Sequence, residues 1–170
     1  SAAEAKQLAT GETDSRIKML SQLVNRADEG AYPLIKAMSE DAAKIAGDRV
    51  LIVEGSKAID AVTGETTNLQ DGAEDVISNN RMRSELDGAM AALRLFAKDA
   101  KARQEAADAL LKEPDAAKVT LLRKAMAAEN DTTIKSTLKL ALAAATLADP
   151  DAGVRLNAVK DLAQYRTPQT

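Results

Sequence analysis

The most restrictive feature of this 170-residue chain is an internal repeat with an offset of 52 residues. When residues 81–110 are aligned with residues 133–162, 11 of the 30 positions are identical. Apart from alanines, the identical pairs are Ser84 and Ser136, Leu86 and Leu138, Leu95 and Leu147, Asp99 and Asp151, Arg103 and Arg155, and Leu110 and Leu162. Repeats of this length with apolar residues at helical spacing are typical of stacked helical arrays.

Composition supports closely packed helices and excludes several classes of function. Apolar residues make up 45% of the chain and aromatic residues only 2%, so the core must consist mainly of aliphatic side chains. Histidine and cysteine are both absent, which removes disulfides, thiolate metal sites and the commonest general base. The net charge of −3 argues against a nucleic-acid partner. We therefore expect no enzyme activity, no cofactor, no metal site and no membrane insertion by this segment.

The first third of the sequence predicts two helices followed by a β-hairpin. Residues 1–12 are small and polar, which predicts a mobile lead-in or a frayed helix. A helical hairpin is predicted over 14–46, with Pro33 in the first turn of its second helix and Gly47 just past its end. An inserted β-hairpin is predicted over 49–62, around the turn at Glu54-Gly55-Ser56. Residues 66–75 are expected to form a polar loop.

The remainder divides into two copies of the repeat, at 79–130 and 131–170. The first copy ends with the fifth predicted helix of the chain, and nothing after the second copy matches that helix. The last helix should therefore leave part of its apolar face uncovered. We therefore expect the chain to be part of a longer protein. The predicted fold is a single all-α domain over 1–170, a HEAT-like α-solenoid of about seven helices with one small inserted β-hairpin.

Recurring Asp and Arg residues lie four positions apart at two predicted helix starts. Asp99 with Arg103, and Asp151 with Arg155, are interpreted as helix caps followed by hydrogen bonds on the helix surface or between repeats. A charged ridge for a partner is the alternative. The acidic groups Asp149 with Asp151, and residues 71–75, lack the spacing of a calcium loop and are interpreted as caps and solvated loops.

Two further features have both a structural and a functional interpretation. Arg81 and Arg83 lie on one helix and either hold an acidic partner or pair within the helix with Glu85 and Asp87. The hairpin at 49–62 either covers one end of a helix pair or forms a recognition edge. The candidate partner-binding residues are Arg49, Glu54, Lys57, Asn79, Asn80, Arg81 and Arg83.

Several segments, taken in order, resemble one known family. They are Asp60-Ala61-Val62-Thr63-Gly64-Glu65, then residues 76–86 with Asn79-Asn80-Arg81-Met82-Arg83, then Ala91-Ala92-Leu93-Arg94-Leu95, then Asp99 to Arg103. This order resembles the N-terminal extracytoplasmic region of the urea ABC transporter permease, a subunit of the branched-chain amino-acid transporter type. The resemblance covers nearly the whole chain and carries no catalytic or urea-binding residue onto these positions.

The resemblance implies a non-catalytic accessory domain on the extracytoplasmic, periplasmic side of the bacterial inner membrane. Its expected role is docking or assembly, with the rest of the permease and the urea-type solute-binding protein as partners. The alternatives are a free-standing HEAT-like scaffold in the cytoplasm, a lyase-like modifying module and a domain that binds urea directly. The last two would need a pocket with convergent polar groups.

Overall fold

The computed structural model describes residues 1–69 and 71–164, which form two compact units. Unit 1 extends from Ser1 to Leu93, and unit 2 begins at Arg94. The boundary falls inside the first predicted repeat copy. The last residues of the second predicted copy, 165–170, lie outside the described residues. The predicted single domain and its internal boundaries stay a prediction, and each unit is described by itself below.

The described residues contain eight α-helices and five β-strands. The elements of unit 1 are α1 (Ala2–Thr10), α2 (Thr13–Asn25), α3 (Tyr32–Ser39), β1 (Ala43–Ala46), β2 (Arg49–Glu54), β3 (Lys57–Asp60), β4 (Thr66–Asn68), β5 (Glu74–Asp75) and α4 (Asn80–Leu93). Those of unit 2 are α5 (Ala100–Lys112), α6 (Val119–Ala128), α7 (Thr132–Leu147) and α8 (Ala152–Gln164). Short 3₁₀ turns occupy Glu29–Ala31, Arg94–Phe96 and Ala116–Lys118.

The prediction of an all-α solenoid with one small β-hairpin is wrong. Unit 1 contains a five-stranded antiparallel sheet with the strand order β4-β3-β2-β1-β5. The predicted hairpin at 49–62 contains β2 and β3, which are inner strands of this sheet and not an isolated insertion. The predicted polar loop at 66–75 contributes both edge strands, β4 and β5.

The additional strand β1 arises where the sequence predicts the end of a helix. Helix α3 ends at Ser39, and Asp41 adopts a left-handed conformation with φ of 54°. Residues 43–46 then pair antiparallel with β2 through a two-residue loop that begins at Gly47, whose φ is +63°. A two-residue loop that begins with Gly and continues with Asp is a hairpin signal. The prediction that Gly47 follows the end of a helix overlooks this signal.

Of the two alternatives predicted for residues 1–12, a lead-in or a helix, the structure has the helix, α1. Helix α1 packs against α2 and β2. Leu8 is completely buried and Ala5 and Ala9 are nearly so. Helix α3 packs against β1, β2 and α4, so helices and sheet share one core in unit 1. The largest fully buried side chains of this core are Leu8, Val24, Ile35, Met38, Leu51, Met82 and Leu86.

Unit 2 is a helical array centred on α7. Helix α7 packs against α5, α6 and α8. Its buried positions Ile134, Leu138, Ala141 and Ala145 recur every three or four residues, as expected for one helix face. Asp99 and Asp131 cap α5 and α7 through side-chain hydrogen bonds, which confirms their predicted role. In the described part of the chain, no helix has both the length and the apolar content of a membrane span.

Candidate interaction surface

The segment that leads into α4 is fixed at its amino-terminal end by Asn79. The Asn79 Oδ1 accepts a hydrogen bond from the Met82 backbone N–H at 2.8 Å, which caps the helix. Its Nδ2 donates to the hydroxyl of Thr13, the first residue of α2, at 3.0 Å. One asparagine therefore sets the start of α4 and ties it to the start of α2.

A buried arginine holds the same segment from the inside. Arg16 on α2 donates from Nε to the Leu8 carbonyl at 2.7 Å, from Nη1 to the Ile77 carbonyl at 2.8 Å and from Nη2 to the Ser78 hydroxyl at 3.3 Å. The Leu8 carbonyl belongs to the last turn of α1, where a cation interacts favourably with the helix dipole. Arg16 thus links the end of α1, the start of α2 and the approach to α4.

The charge of Arg16 is not neutralised by a contacting carboxylate among the described residues. All three of its acceptors are neutral oxygens. Burial lowers the pKa of the Arg16 guanidinium below its usual range. An arginine stays charged in proteins, so a positive charge remains beneath residues 77 and 78. The amino terminus of the 14-residue helix α4 adds partial positive charge at the same place.

Ile77 projects into solvent directly above this positive region. Its side chain is 78% exposed, whereas both neighbours, Val76 and Ser78, are buried. Burial alternates along residues 76–79, which are buried, exposed, buried and exposed in turn, so successive side chains face opposite sides. Because Arg16 holds the Ile77 carbonyl, the exposed apolar side chain stands on a fixed backbone.

Arg81 and Arg83 pair with other elements and not within their own helix. Arg81 Nη1 lies 2.7 Å from a carboxylate oxygen of Asp14 on α2, and Arg83 Nη2 lies 2.8 Å from a carboxylate oxygen of Asp41. The predicted intrahelical pairs with Glu85 and Asp87 are therefore wrong. Both observed pairs are substantially exposed, so each contributes little to stability and can exchange for a partner's charge.

We name Asp14, Ile77, Asn79, Asn80 and Arg81 the α4 amino-terminal surface. Asn80 is exposed at the first position of α4 and Asn79 is exposed beside it. Asn79, Asn80 and Arg81 thus lie together, whereas Arg83, two residues further along α4, points to another side of the helix, where it pairs with Asp41. Sequence reasoning missed Ile77. A period of two continued beyond the strand would have placed its side chain on the side opposite those of Val76 and Ser78. It also missed Arg16, for which the sequence contains no signal.

The predicted hairpin residues lie elsewhere in unit 1. Arg49 donates from Nε to Asp60 Oδ2 at 2.7 Å, which ties the start of β2 to the end of β3. Burial raises the pKa of Asp60, but hydrogen bonds from the Thr63 N–H, Arg49 and the Val62 N–H outweigh it and lower the pKa to about 2. Arg49 therefore has a structural partner already.

Glu54 and Lys57 are a cross-strand pair on either side of the Gly55-Ser56 turn. Both are exposed, and Gly55 has a φ of +65°. Among the described residues, no hydrogen bond or ion pair joins this turn to the α4 amino-terminal surface. The seven predicted residues therefore form two groups. Among the described residues, the most exposed large apolar residue, Ile77 at 78%, lies in the group on α4, whereas Val62 beside the hairpin group is 45% exposed.

A shallow cavity of about 170 Å³ in unit 1 bears on the alternative of direct urea binding. Its polar lining includes the carboxylates of Glu4 and Asp28. Arg26 lies 2.8 Å from Glu4 and 3.5 Å from Asp28, so both carboxylates already have a cationic partner. Hydrogen bonding from Arg26 is the main cause that lowers the pKa of Glu4 to about 2.

The acidic groups weighed as calcium ligands have other roles where the structure describes them. Asp149 Oδ1 accepts from the Asp151 N–H at 2.8 Å, and Asp151 Oδ1 accepts from the N–H groups of Gly153 and Val154 at the start of α8. Asp75 pairs with Lys44 at 2.6 Å. The described residues contain no cluster of three acidic side chains placed to hold a metal ion.

No protein-family model, curated protein or solved structure matches this chain. The resemblance to the urea-type permease region therefore stays a prediction that depends on the sequence segments quoted above.

Proposed function

We propose that this chain is a non-catalytic docking module, and that it serves as the extracytoplasmic accessory region of a urea-type ABC transporter permease. The observation that carries the docking role is the α4 amino-terminal surface. Exposed Ile77 stands beside Arg81 on a backbone fixed by Arg16. Apolar and arginine side chains on pre-organised backbone are common anchors of protein interfaces.

The charges of this surface indicate the kind of partner. Buried Arg16, the amino terminus of α4 and the weakly paired Arg81 together favour an acidic partner surface with an apolar pocket for Ile77. The permease assignment is supported by the sequence resemblance, whose Asn79-Asn80-Arg81-Met82-Arg83 segment coincides with this surface. The proposed partners are the urea-type solute-binding protein and the remainder of the permease.

The test is a binding measurement between this chain and a urea-type solute-binding protein from the same organism. Ile77→Ser and the double variant Arg81→Glu with Arg83→Glu should each weaken binding by at least about tenfold, as expected for anchor residues. The charge-reversal variant should also lose the salt dependence of association. Lys36→Glu, an exposed change on α3, is the matched control and should bind like the unchanged chain.

Two results would overturn the proposal in different ways. Unchanged binding by both variants would remove the α4 amino-terminal surface from the interface. No binding to the solute-binding protein or to the remaining permease would remove the transport assignment. The location is tested separately, by reading the gene on both sides of this segment for an export signal and for membrane spans.

A further inference from the structure

The two Asp-Arg motifs of unit 2 have the same local geometry. Arg103 Nη1 donates to the carbonyls of residues 97 and 98, at 2.9 and 3.0 Å. Arg155 Nη1 donates to the carbonyls of residues 149 and 150, at 2.8 and 2.7 Å. Each acceptor in the turn before α8 lies 52 positions after its counterpart in the turn before α5, so the sequence repeat is also a repeat of structure.

The motifs differ at the other edge of the guanidinium, which consists of Nε and Nη2. Arg103 donates from Nε and Nη2 to the carboxylate of Glu129, which lies two residues before Asp131, the cap of α7. The hydrogen bonds of Arg155 to described residues all use Nη1. The Nε and Nη2 edge of Arg155 therefore has no carboxylate from the described part of the chain.

The apolar residues beside the two arginines differ in the same sense. On α5, Ala107 is completely buried and Gln104 donates to Thr137 of α7 at 3.0 Å, so both positions face α7. Their counterparts on α8 are Val159 and Leu156, which are 51% and 54% exposed. The two positions that α7 covers in the first copy are therefore occupied by more apolar residues in the second copy, and those residues are exposed.

We propose that α8 is a docking face for one more helix, which begins with a Glu-x-Asp turn and has the chemistry of α7. The glutamate of that turn would bind the open edge of Arg155, as Glu129 binds Arg103. The small-residue face of the helix would cover Leu156 and Val159, as α7 covers Gln104 and Ala107. This inference stands independently of the proposed function.

Charge and geometry favour this occupant over a second copy of the same chain. A planar guanidinium edge matches a carboxylate in a two-bond arrangement. In a second copy, Glu129 is engaged by its own Arg103 and is nearly buried. The other Glu-x-Asp turn after α5, Glu113-Pro114-Asp115, leads into the short 3₁₀ turn 116–118 and not directly into a helix like α7. Helical arrays gain most of their stability from contacts between neighbouring units, so an added helix should stabilise α8.

The first experiment extends the array within the chain. Residues from 165 onward are replaced by a copy of residues 113–148, which keeps the 52-residue offset. Amide hydrogen exchange across α8 should slow by about tenfold or more, because opening of α8 then requires loss of the added contacts. In the matched control the copied Glu129 is changed to Gln, and most of this protection should disappear. The same loss is expected for Arg155→Lys, which keeps the charge and removes the two-bond edge.

A second experiment keeps the test decisive if the added segment does not fold. A peptide copying residues 113–148 is titrated into the full chain, and the Nε–H signal of Arg155 is followed by NMR. The signal should shift, and Arg155→Lys should abolish the binding observed elsewhere on α8. Neither protection nor a shift at about 1 mM peptide would overturn the proposal. Equal protection of α8 by the Glu and Gln extensions would also overturn the proposal. So would hydrogen exchange in α8 of the original chain that slows as the chain concentration rises, since a second copy would then cover α8.

Discussion

Arg103 holds Glu129 by two hydrogen bonds, 2.7 Å from Nε to Oε2 and 3.2 Å from Nη2 to Oε1. The Glu129 side chain is only 3% exposed, and its Oε1 also accepts from the N–H groups of Asn130 and Asp131. The hydrogen bond from Arg103 is the main cause that lowers the pKa of Glu129. One buried ion pair therefore joins the start of α5 to the start of α7.

Glu129→Gln should lower the free energy of unfolding by about 3 kcal/mol. The substitution leaves the Arg103 cation without its buried carboxylate, and breaking such a pair costs much more than losing a surface pair. Urea denaturation followed by circular dichroism measures the change. Glu113→Gln, at an exposed carboxylate after α5, is the control and should change stability by less than about 0.5 kcal/mol. Equal effects at the two positions would contradict the assigned role.

Arg16→Met should destabilise unit 1 by about 3 kcal/mol. The change removes three hydrogen bonds and leaves the carbonyls of Leu8 and Ile77 without a donor in a buried place. Lys18→Met, at an exposed position of the same helix, should be nearly neutral. Hydrogen exchange adds a local test, because α1 should lose protection together with residues 76–79. Loss of global stability without increased exchange in α1 would exclude Arg16 as the cap of that helix.

The sequence was sufficient for features that depend on neighbouring residues. The caps Asp99 and Asp131 and the start of α4 at Asn79 follow from short-range hydrogen bonding, and the structure contains all three. The repeat also predicted that Arg103 and Arg155 have equivalent positions. Local signals were decisive there because each cap is satisfied within three residues.

The sheet and the buried Arg16 beneath the candidate surface depend on contacts between residues that are far apart in sequence, and a single sequence does not reveal such contacts. Strands β4 and β5 are short and polar and obtain their pairing from β3 and β1. The residues of β5 do not favour strands, and the two threonines of β4 are too short a run to predict one. Arg16 meets Ser78 across 62 positions of sequence. The apolar residues of β1 fit either a helix or a strand, and the Gly47-Asp48 loop decides for the strand.

Two glycine substitutions should change stability in opposite directions. Gly47 has a φ of +63° in the β1–β2 loop, so Gly47→Ala should cost about 1 kcal/mol even though a Cβ there meets no atom within 4 Å. Gly88 lies in the interior of α4, with open space around a built Cβ. Gly88→Ala should therefore stabilise the chain by up to about 1 kcal/mol. Thermal unfolding of both variants measures the difference, and stabilisation by Gly47→Ala would contradict the hairpin assignment of 43–54.

The acid sensitivity of unit 1 should depend on Asp60. Its pKa in the folded chain is about 2, below the usual 3.8, so its ionised form stabilises the fold above about pH 4. That contribution is lost as the pH falls from about 4 to 2, because the folded state must then take up the proton that the unfolded chain binds earlier. Asp60→Asn should cost about 2 kcal/mol at pH 7, through loss of the charged partner of Arg49.

The difference between Asp60→Asn and the unchanged chain should shrink as the pH approaches 2, where the native carboxyl also becomes neutral. Urea denaturation at about pH 7, 4 and 2 measures this convergence. Glu85→Gln, at an exposed carboxylate of α4, is the control and should differ little from the unchanged chain at any of these conditions. If the difference in unfolding free energy between Asp60→Asn and the unchanged chain stayed constant down to about pH 2, the carboxylate charge would not stabilise the hairpin. The N–H groups of Val62 and Thr63 would then be held equally well by an amide oxygen.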